Sequence, residues 1–335
     1  MLIAIVRQLA HQLRERVKIE LKPAHFADRF SSLKRLLGEA ISFDATELNL
    51  GLTKLTASIK SSPEARDRIR KALEPDTDNW LAAANDVIGQ SILGLEKKGY
   101  RGLVIIVDDL DKMIVRPHDS AGCTTSEYLF VHRSAQLTAF KCHLIYTLPL
   151  ELAYSHHESK IKQLYGGHLP VVPMTKIFHK PPKSTPYKAG IERFRAVIDA
   201  RLKEIGVGPN DLFESDRIRD DLIKLTGGQP TELMSMIREA IITDDLPIGR
   251  AGVNRCRIES MRSYRRMLRI DHWPVIEEVR RTGQVVRTSE NETAFRELLD
   301  SRAILVYNND DEWYGVNPAL GGLENPASKS SEAES

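Results

Sequence analysis

Two consecutive carboxylates, Asp108 and Asp109, close the apolar run Leu103-Val104-Ile105-Ile106-Val107 and are followed by Leu110-Asp111-Lys112. A short, continuously apolar and β-branched run of this kind reads as a buried parallel strand, apolar on both faces. The carboxyl end of such a strand is where open parallel sheets place their ligands. Phosphoryl-transfer sites need one carboxylate there to hold hydrated Mg²⁺, and often a neighbour to orient the attacking water. Asp108 takes the first role in this reading and Asp109 the second; the same pair could also simply cap a strand and open a turn. The histidines offer less, because His156-His157 and His118-Asp119 lack a third ligand at metal spacing. Cys123, Cys142 and Cys256 lie far apart with no CxxC pair, which argues against a disulfide framework or a zinc knuckle and for a reducing, cytoplasmic compartment.

The elements that must position the two aspartates follow from hydrophobic spacing. Residues 1–17 place Leu2, Val6, Leu9, Leu13 and Val17 on one helical stripe. A second helical pattern runs through 23–38, and the alternation after Gly38 suggests a short hairpin. Helical spacing returns at 64–97, with Trp80, Leu81, Ala84, Ile88, Ile92 and Leu95 on one face. Two more strands are expected, at HLIYT (143–147) and around LPVVPMTKIF (169–178). Strands alternating with helices predict an α/β fold with a doubly wound parallel sheet. Past Tyr187 only helices are expected, at 189–205, about 214–226, 230–243 and about 254–270. Gly227-Gly228 stops one helix, and Pro230 stands where a first-turn proline belongs. Helices at 272–282 and 290–301 and strands at AILVYN and EWYGV then suggest a winged helix. The domains therefore read as 1–180, a linker at 181–188, a helical region at 189–270, a winged helix at 271–320 and a disordered tail at 321–335.

Composition limits the classes. The chain has 335 residues, 41% of them apolar and 28% charged, with 48 basic and 46 acidic side chains for a net charge of +2. That is globular composition with no bulk electrostatic bias toward any partner. No apolar run approaches the roughly 20 residues a membrane span needs, and MLIAIV is broken by Arg7 with no cationic segment ahead of it, so neither an anchor nor a signal peptide is expected.

VIIVDDLDK resembles the Walker B strand of P-loop ATPases in the AAA+ and STAND group, which includes origin-recognition-like and signal-transduction ATPases. HLIYTLPL resembles their sensor-1 strand and puts Thr147 where that group has a polar residue near the γ-phosphate. GGQPTEL (227–233) resembles the glycine-glycine-x-proline signature of the helical lid, which carries Gly228 and Pro230 into the nucleotide-binding set. The resemblance implies a parallel P-loop-type sheet flanked by helices, an all-helical lid and a winged helix, with ATP and Mg²⁺ as cofactors. It also implies a switch that acts on a protein partner or on its own domains through the winged helix, and it is compatible with a homo-oligomer. Arg133 and Arg201 are the candidates for an arginine finger. The sensor-2 arginine of the lid has no counterpart, because Thr231 and Glu232 follow Pro230 and Arg238 is a weak substitute.

The group's phosphate cradle, GxxxxGK[ST], is missing, since no Gly-Lys dipeptide occurs in the chain. The opening helix resembles the one that follows that loop, so the sequence reads as beginning just downstream of it. Charge-assisted hydrogen bonds to phosphate contribute about 1.5–3 kcal/mol each. Losing four removes on the order of 6–12 kcal/mol, and a micromolar site is worth only about 8 kcal/mol. Nucleotide binding by this chain is therefore expected to be very weak or absent. A non-catalytic interaction protein is the competing class.

A third class is a DNA-binding regulator. Residues 250–269 carry seven arginines and one acid, with Arg255, Arg262, Arg266 and Arg269 at near-helical spacing on one face. Such a face can grip nucleic-acid phosphate, or it can pair with acidic neighbours such as the 290–312 region. The acidic residues of that region, Glu290, Glu292, Glu297, Asp300, Asp310, Asp311 and Glu312, argue against the winged helix itself as the DNA reader.

Overall fold

A computed structural model of the chain describes residues 2–21, 71, 74–113, 115–118, 122–243, 245–309 and 311–323. The expected helix at 23–38, the hairpin that follows it, the first part of the 64–97 helix and the tail from residue 324 lie outside the described residues. The chain is mixed α/β and mainly helical. The described residues within Met1–Pro149 and His157–Leu169 form one unit, and those within Leu150–His156 and Pro170–Ser335 form a second.

In the first unit, helix α1 (Leu2–Gln12) runs into a π turn at Leu13–Val17. Its stripe, with Val6, Leu9 and Leu13 buried, packs against α2 (Thr77–Glu96), which contributes Trp80, Leu81, Ala84 and Ile88. Gly99 ends the approach to the sheet at φ 83, a backbone conformation that a side chain would strain. Strand β1 (Val104–Val107) pairs in parallel with β2 (His143–Tyr146), with Val104 opposite His143 and Val107 opposite Tyr146. Between the two strands lies the short helix α3 (Ser134–Thr138).

Two strand expectations are corrected. Leu103, Ile105 and Val107 pack on the α1/α2 core, but Val104 is 54% exposed, Ile106 64% and Ile145 52%. Among the described residues nothing covers that face, so β1 is buried on one side rather than both. The third strand does not form, because Pro170 and Pro173 have no N–H to give a ladder and Val172 projects into solvent. The segment instead joins the second unit, where the Met174 N–H donates to the Val306 carbonyl at 2.8 Å. A two-stranded parallel sheet therefore stands among the described residues where a doubly wound one was expected.

The second unit takes in α4 (Leu150–Ala153), after which the chain returns to the first unit for α5 (Glu158–Leu164). Its helical layer is α6 (Lys188–Glu204), α7 (Asp216–Leu225), α8 (Pro230–Thr243) and α9 (Arg250–Met267). Phe194, Ile198, Leu222, Ile223, Leu233, Met236 and Cys256 form its core. Helices α10 (Trp273–Thr282) and α11 (Glu292–Asp300) precede an antiparallel hairpin, β3 (Ile304–Asn309) and β4 (Asp311–Val316). One hairpin face carries Leu305, Tyr307 and Trp313; Tyr314 on the other meets Phe295 and Tyr154 edge to face. Glu151 of α4 is buried and accepts from Arg296 of α11, with Nε at 3.0 Å. The expected tail begins too early: Gly321 and Gly322 close a 3₁₀ turn from Pro318, and Leu323 is buried.

Candidate functional site

Strand β1 delivers its chain directly into an acidic turn. The Asp108 carboxylate accepts from the Asp109 N–H at 2.8 Å, and Asp109 takes a left-handed backbone at φ 66. That conformation is tolerated best by Asn, Asp and Gly among common residues. The chain then winds into a 3₁₀ turn, Leu110–Lys112, whose first N–H donates to the Thr147 hydroxyl at 3.0 Å. Thr147 itself extends β2, its N–H bonded to the Val107 carbonyl at 3.2 Å. The two strand ends and the acidic turn are thus tied together by Thr147.

Asp108, Asp109 and Asp111 place carboxylate oxygens within 4.8 Å of one another, and all three are exposed. Like charges this close repel, and a cation relieves the repulsion. Lys112 supplies part of that relief, its Nζ 2.6 Å from Asp109 Oδ1; this hydrogen bond, together with the charge of Asp109, raises the lysine pKa above its usual value. Oxygen donors of this kind suit Mg²⁺, which binds through one or two carboxylates and keeps several waters. Asp111 joins the expected Asp108–Asp109 pair: the spacing D-D-x-D stands in the sequence, and the tight turn makes all three converge.

Asp108 also lies at the edge of a cavity of about 530 Å³ between α1 and β1. Its walls are mostly apolar, with Leu9, Leu13 and Ile105 among them, and Gln8, Gln12 and Arg16 give it a polar fringe. The donor set therefore fits a hydrated divalent cation. A triphosphate has no cradle of glycine N–H groups with a lysine among the described residues.

Within the first unit the structure brings Asp108, Asp109 and Thr147 together; Gly228 and Pro230 belong to the second unit. Gly228, at φ 87, is pressed against the backbone of Thr175: a Cβ there would stand 1.9 Å from the Thr175 carbonyl oxygen. The Thr175 N–H donates to the Gly228 carbonyl at 3.1 Å. At Gly227 a Cβ would meet Leu305 at 2.2 Å, and the Tyr307 hydroxyl donates to the Gly227 carbonyl. In this structure the glycine pair lets α7 and α8 close on the hairpin, and Pro230 opens α8. Arg133 is held by the Tyr128 hydroxyl, Nε at 2.8 Å, and by Glu74.

On α9 the expected arginine face is present and exposed. Just past the helix end Arg269 bonds Glu297 at 2.5 Å and Asp271 at 3.0 Å, while Arg262 reaches Glu259 of its own helix at 3.7 Å. Burial alone would raise the Glu297 pKa, but the hydrogen bonds from His272 and Arg269 hold it below the usual carboxylate value. No described helix is long and apolar enough to cross a membrane. Set against protein-family models, curated proteins and solved structures, the chain matches none of them.

Proposed function

We propose that the first unit is the metal-binding half of an ATP-dependent switch of the AAA+/STAND type, with the second unit as its helical lid and winged helix. One observation carries the reading: two adjacent parallel strands end at the same level, one in Asp108 and the other in Thr147, and the Thr147 hydroxyl fixes the acidic turn. Asp108 would hold Mg²⁺ with Asp111 beside it, and the ion would neutralise charge on the phosphates. Asp109 is the group placed to polarise water, provided that Lys112 gives up its carboxylate oxygen. Thr147, which already accepts from Leu110, keeps its own hydroxyl proton for an anion at the strand ends.

The lost cradle sets the strength of such a site. With on the order of 6–12 kcal/mol of phosphate contacts missing, ATP affinity should be far weaker than micromolar and hydrolysis slow or nil. Titration of the chain with Mn²⁺ as a paramagnetic probe tests the metal half. Broadening of the 108–112 amides that disappears in Asp108→Asn is expected; broadening that survives the substitution overturns it. Any ATP hydrolysis should fall in Asp109→Ala, and hydrolysis unchanged by that substitution would refute the assignment of roles.

A second reading rests on α9. Arg269, just past the helix end, bonds Glu297, and Arg255, Arg262 and Arg266 are exposed on α9 where a phosphate backbone could lie. Duplex affinity that falls steeply with salt, and falls further in Arg262→Ala/Arg266→Ala, would favour a DNA-binding regulator. Binding indifferent to salt would remove that reading.

A further inference from the structure

The cavity of about 530 Å³ beside Asp108 runs along a strand edge. One wall is the backbone of residues 102–108, and the other is a face of α1 with its π turn. Among the described residues none of β2 takes part, so the cavity lies on the side of β1 away from β2. The ladder shows what that side offers. The His143 N–H donates to the Leu103 carbonyl and the Thr147 N–H to the Val107 carbonyl, with Val104 opposite His143. In a parallel ladder of this register Ile105 and Val107 turn their N–H and C=O groups toward β2, and Val104 and Ile106 turn theirs the other way, to the cavity. Among the described residues no strand pairs with that edge.

The space has the dimensions of one more strand. The α1 face between residues 4 and 17 and the strand wall are each about 20 Å long, the reach of about six or seven extended residues. Leu9 and Leu13 on one side and the half-buried Leu103, Ile105 and Val107 on the other give it an apolar floor. Floor and edge together select the occupant. An alkyl chain would fit the floor but strip water from the N–H and C=O groups of Val104 and Ile106 and return no hydrogen bond. An extended backbone satisfies both, pairing with the edge while alternate side chains enter the floor. One end is charged as well. Ile19, just past the π turn, packs on Gly94 near the end of α2, and Leu95 lines the cavity together with Gly102. Helix α1 therefore runs antiparallel to β1, and Arg16, the one cationic side chain in the described lining, stands exposed at the Gly102 end.

We infer that this edge takes an extended peptide strand from a partner protein, with alternate apolar side chains and an acidic residue at the end beside Arg16. The partner's backbone completes the hydrogen bonds of Val104 and Ile106, its apolar side chains cover Leu9 and Leu13, and its acid sets the register.

The full chain, with its backbone amides followed by NMR, provides the test. The probes are the capped peptides E-V-T-V-T-V-T and T-V-T-V-T-V-E, whose acid reaches Arg16 in a parallel and an antiparallel strand respectively. One of them should shift the Val104 and Ile106 amides saturably and slow their exchange with solvent, while the Ile105 and Val107 amides, already turned to β2, move less. N-methylation of either the valines or the threonines of that peptide removes alternate N–H groups. Only one set can face β1, so one methylated form should lose binding and the other keep it. Arg16→Ala should weaken binding about two- to fivefold. Ile106→Pro deletes a donor that β2 does not use and should abolish binding. Equal loss in both methylated forms, decanoate binding more tightly than either peptide, or no shift up to about 5 mM overturns the inference on the unmodified chain. So does undiminished affinity in Arg16→Ala. Slow exchange at Val104 and Ile106 before any peptide is added would also overturn it, because the edge would then be taken by a second copy or by another part of the chain.

Discussion

Substituting Gly228 by alanine separates two meanings of the Gly227-Gly228 pair, contact with a nucleotide or close approach of two backbones. At φ 87 an alanine occupies left-handed space that costs roughly 1–2 kcal/mol. Its Cβ would begin 1.9 Å from the Thr175 carbonyl oxygen, which must retreat by about 1.5 Å to reach the 3.4 Å of ordinary contact. That retreat breaks the Thr175 N–H bond to the Gly228 carbonyl, worth about 1 kcal/mol. A loss of about 2–3 kcal/mol is expected, a large part of the roughly 5–15 kcal/mol that holds a domain together. For a unit of this size the midpoint of thermal unfolding should drop by roughly 4–12 °C with no ligand present. Calorimetry measures it, with Gly321→Ala as control: no atom lies within 4 Å of a Cβ there, and a change within about 0.5 kcal/mol is expected. A ligand-free midpoint for Gly228→Ala within about 2 °C of the parent would refute the packing argument and return the residue to the nucleotide-binding set.

Further outcomes follow from single contacts. Thr147→Val deletes the acceptor of the Leu110 N–H and should cost about 1 kcal/mol by denaturant unfolding; the Asp109–Asp111 amides should shift in the same variant. The Glu297 pKa is lower in the folded chain than the roughly 4.3 of an unfolded glutamate, so its contribution is complete above that value and disappears as pH falls through the folded one. Stability measured from pH 5 to pH 3 should accordingly fall less steeply in Glu297→Gln than in the parent; equal slopes would count against the His272–Glu297–Arg269 cluster. Arg296→Met leaves the buried Glu151 carboxylate without its guanidinium and should cost about 3–5 kcal/mol, while Glu151→Leu/Arg296→Met should recover most of that loss in the same unfolding measurement.

Local chemistry explains what could be read in advance. Helix α8 was expected at 230–243 and occupies those residues, because glycine, glycine and a first-turn proline leave little freedom at its start. The α10–α11–hairpin order was legible for a similar reason, each element having its own clean apolar period. Helix α9 begins at Arg250, earlier than expected, since Gly252 and Val253 form part of its buried face and break no polar pattern. At 169–178 the apolar content favours a strand, but Pro170 and Pro173 lack the two N–H groups a ladder needs. Burial of β1 on both faces was inferred from composition, and composition does not say which partners are present to cover a face. The convergence of Asp111 on Asp108 depends on the left-handed turn at Asp109, a dihedral that no residue pattern spells out. At Gly228 the lid motif and the close approach to the Thr175 backbone demand the same residue, so the residue type alone does not separate the two.

The placement of α4 also bears on the order in which the protein can be made. Glu151 finds Arg296 across 145 residues of sequence, and Tyr154 meets Phe295 and Tyr314 over a similar span. At about 5–20 residues per second, a ribosome needs roughly 7–30 s between presenting the first partner and the second. During that interval Glu151 and the Tyr154 that follows its helix must wait without their guanidinium and rings, and any fragment that starts at Pro170 never receives them.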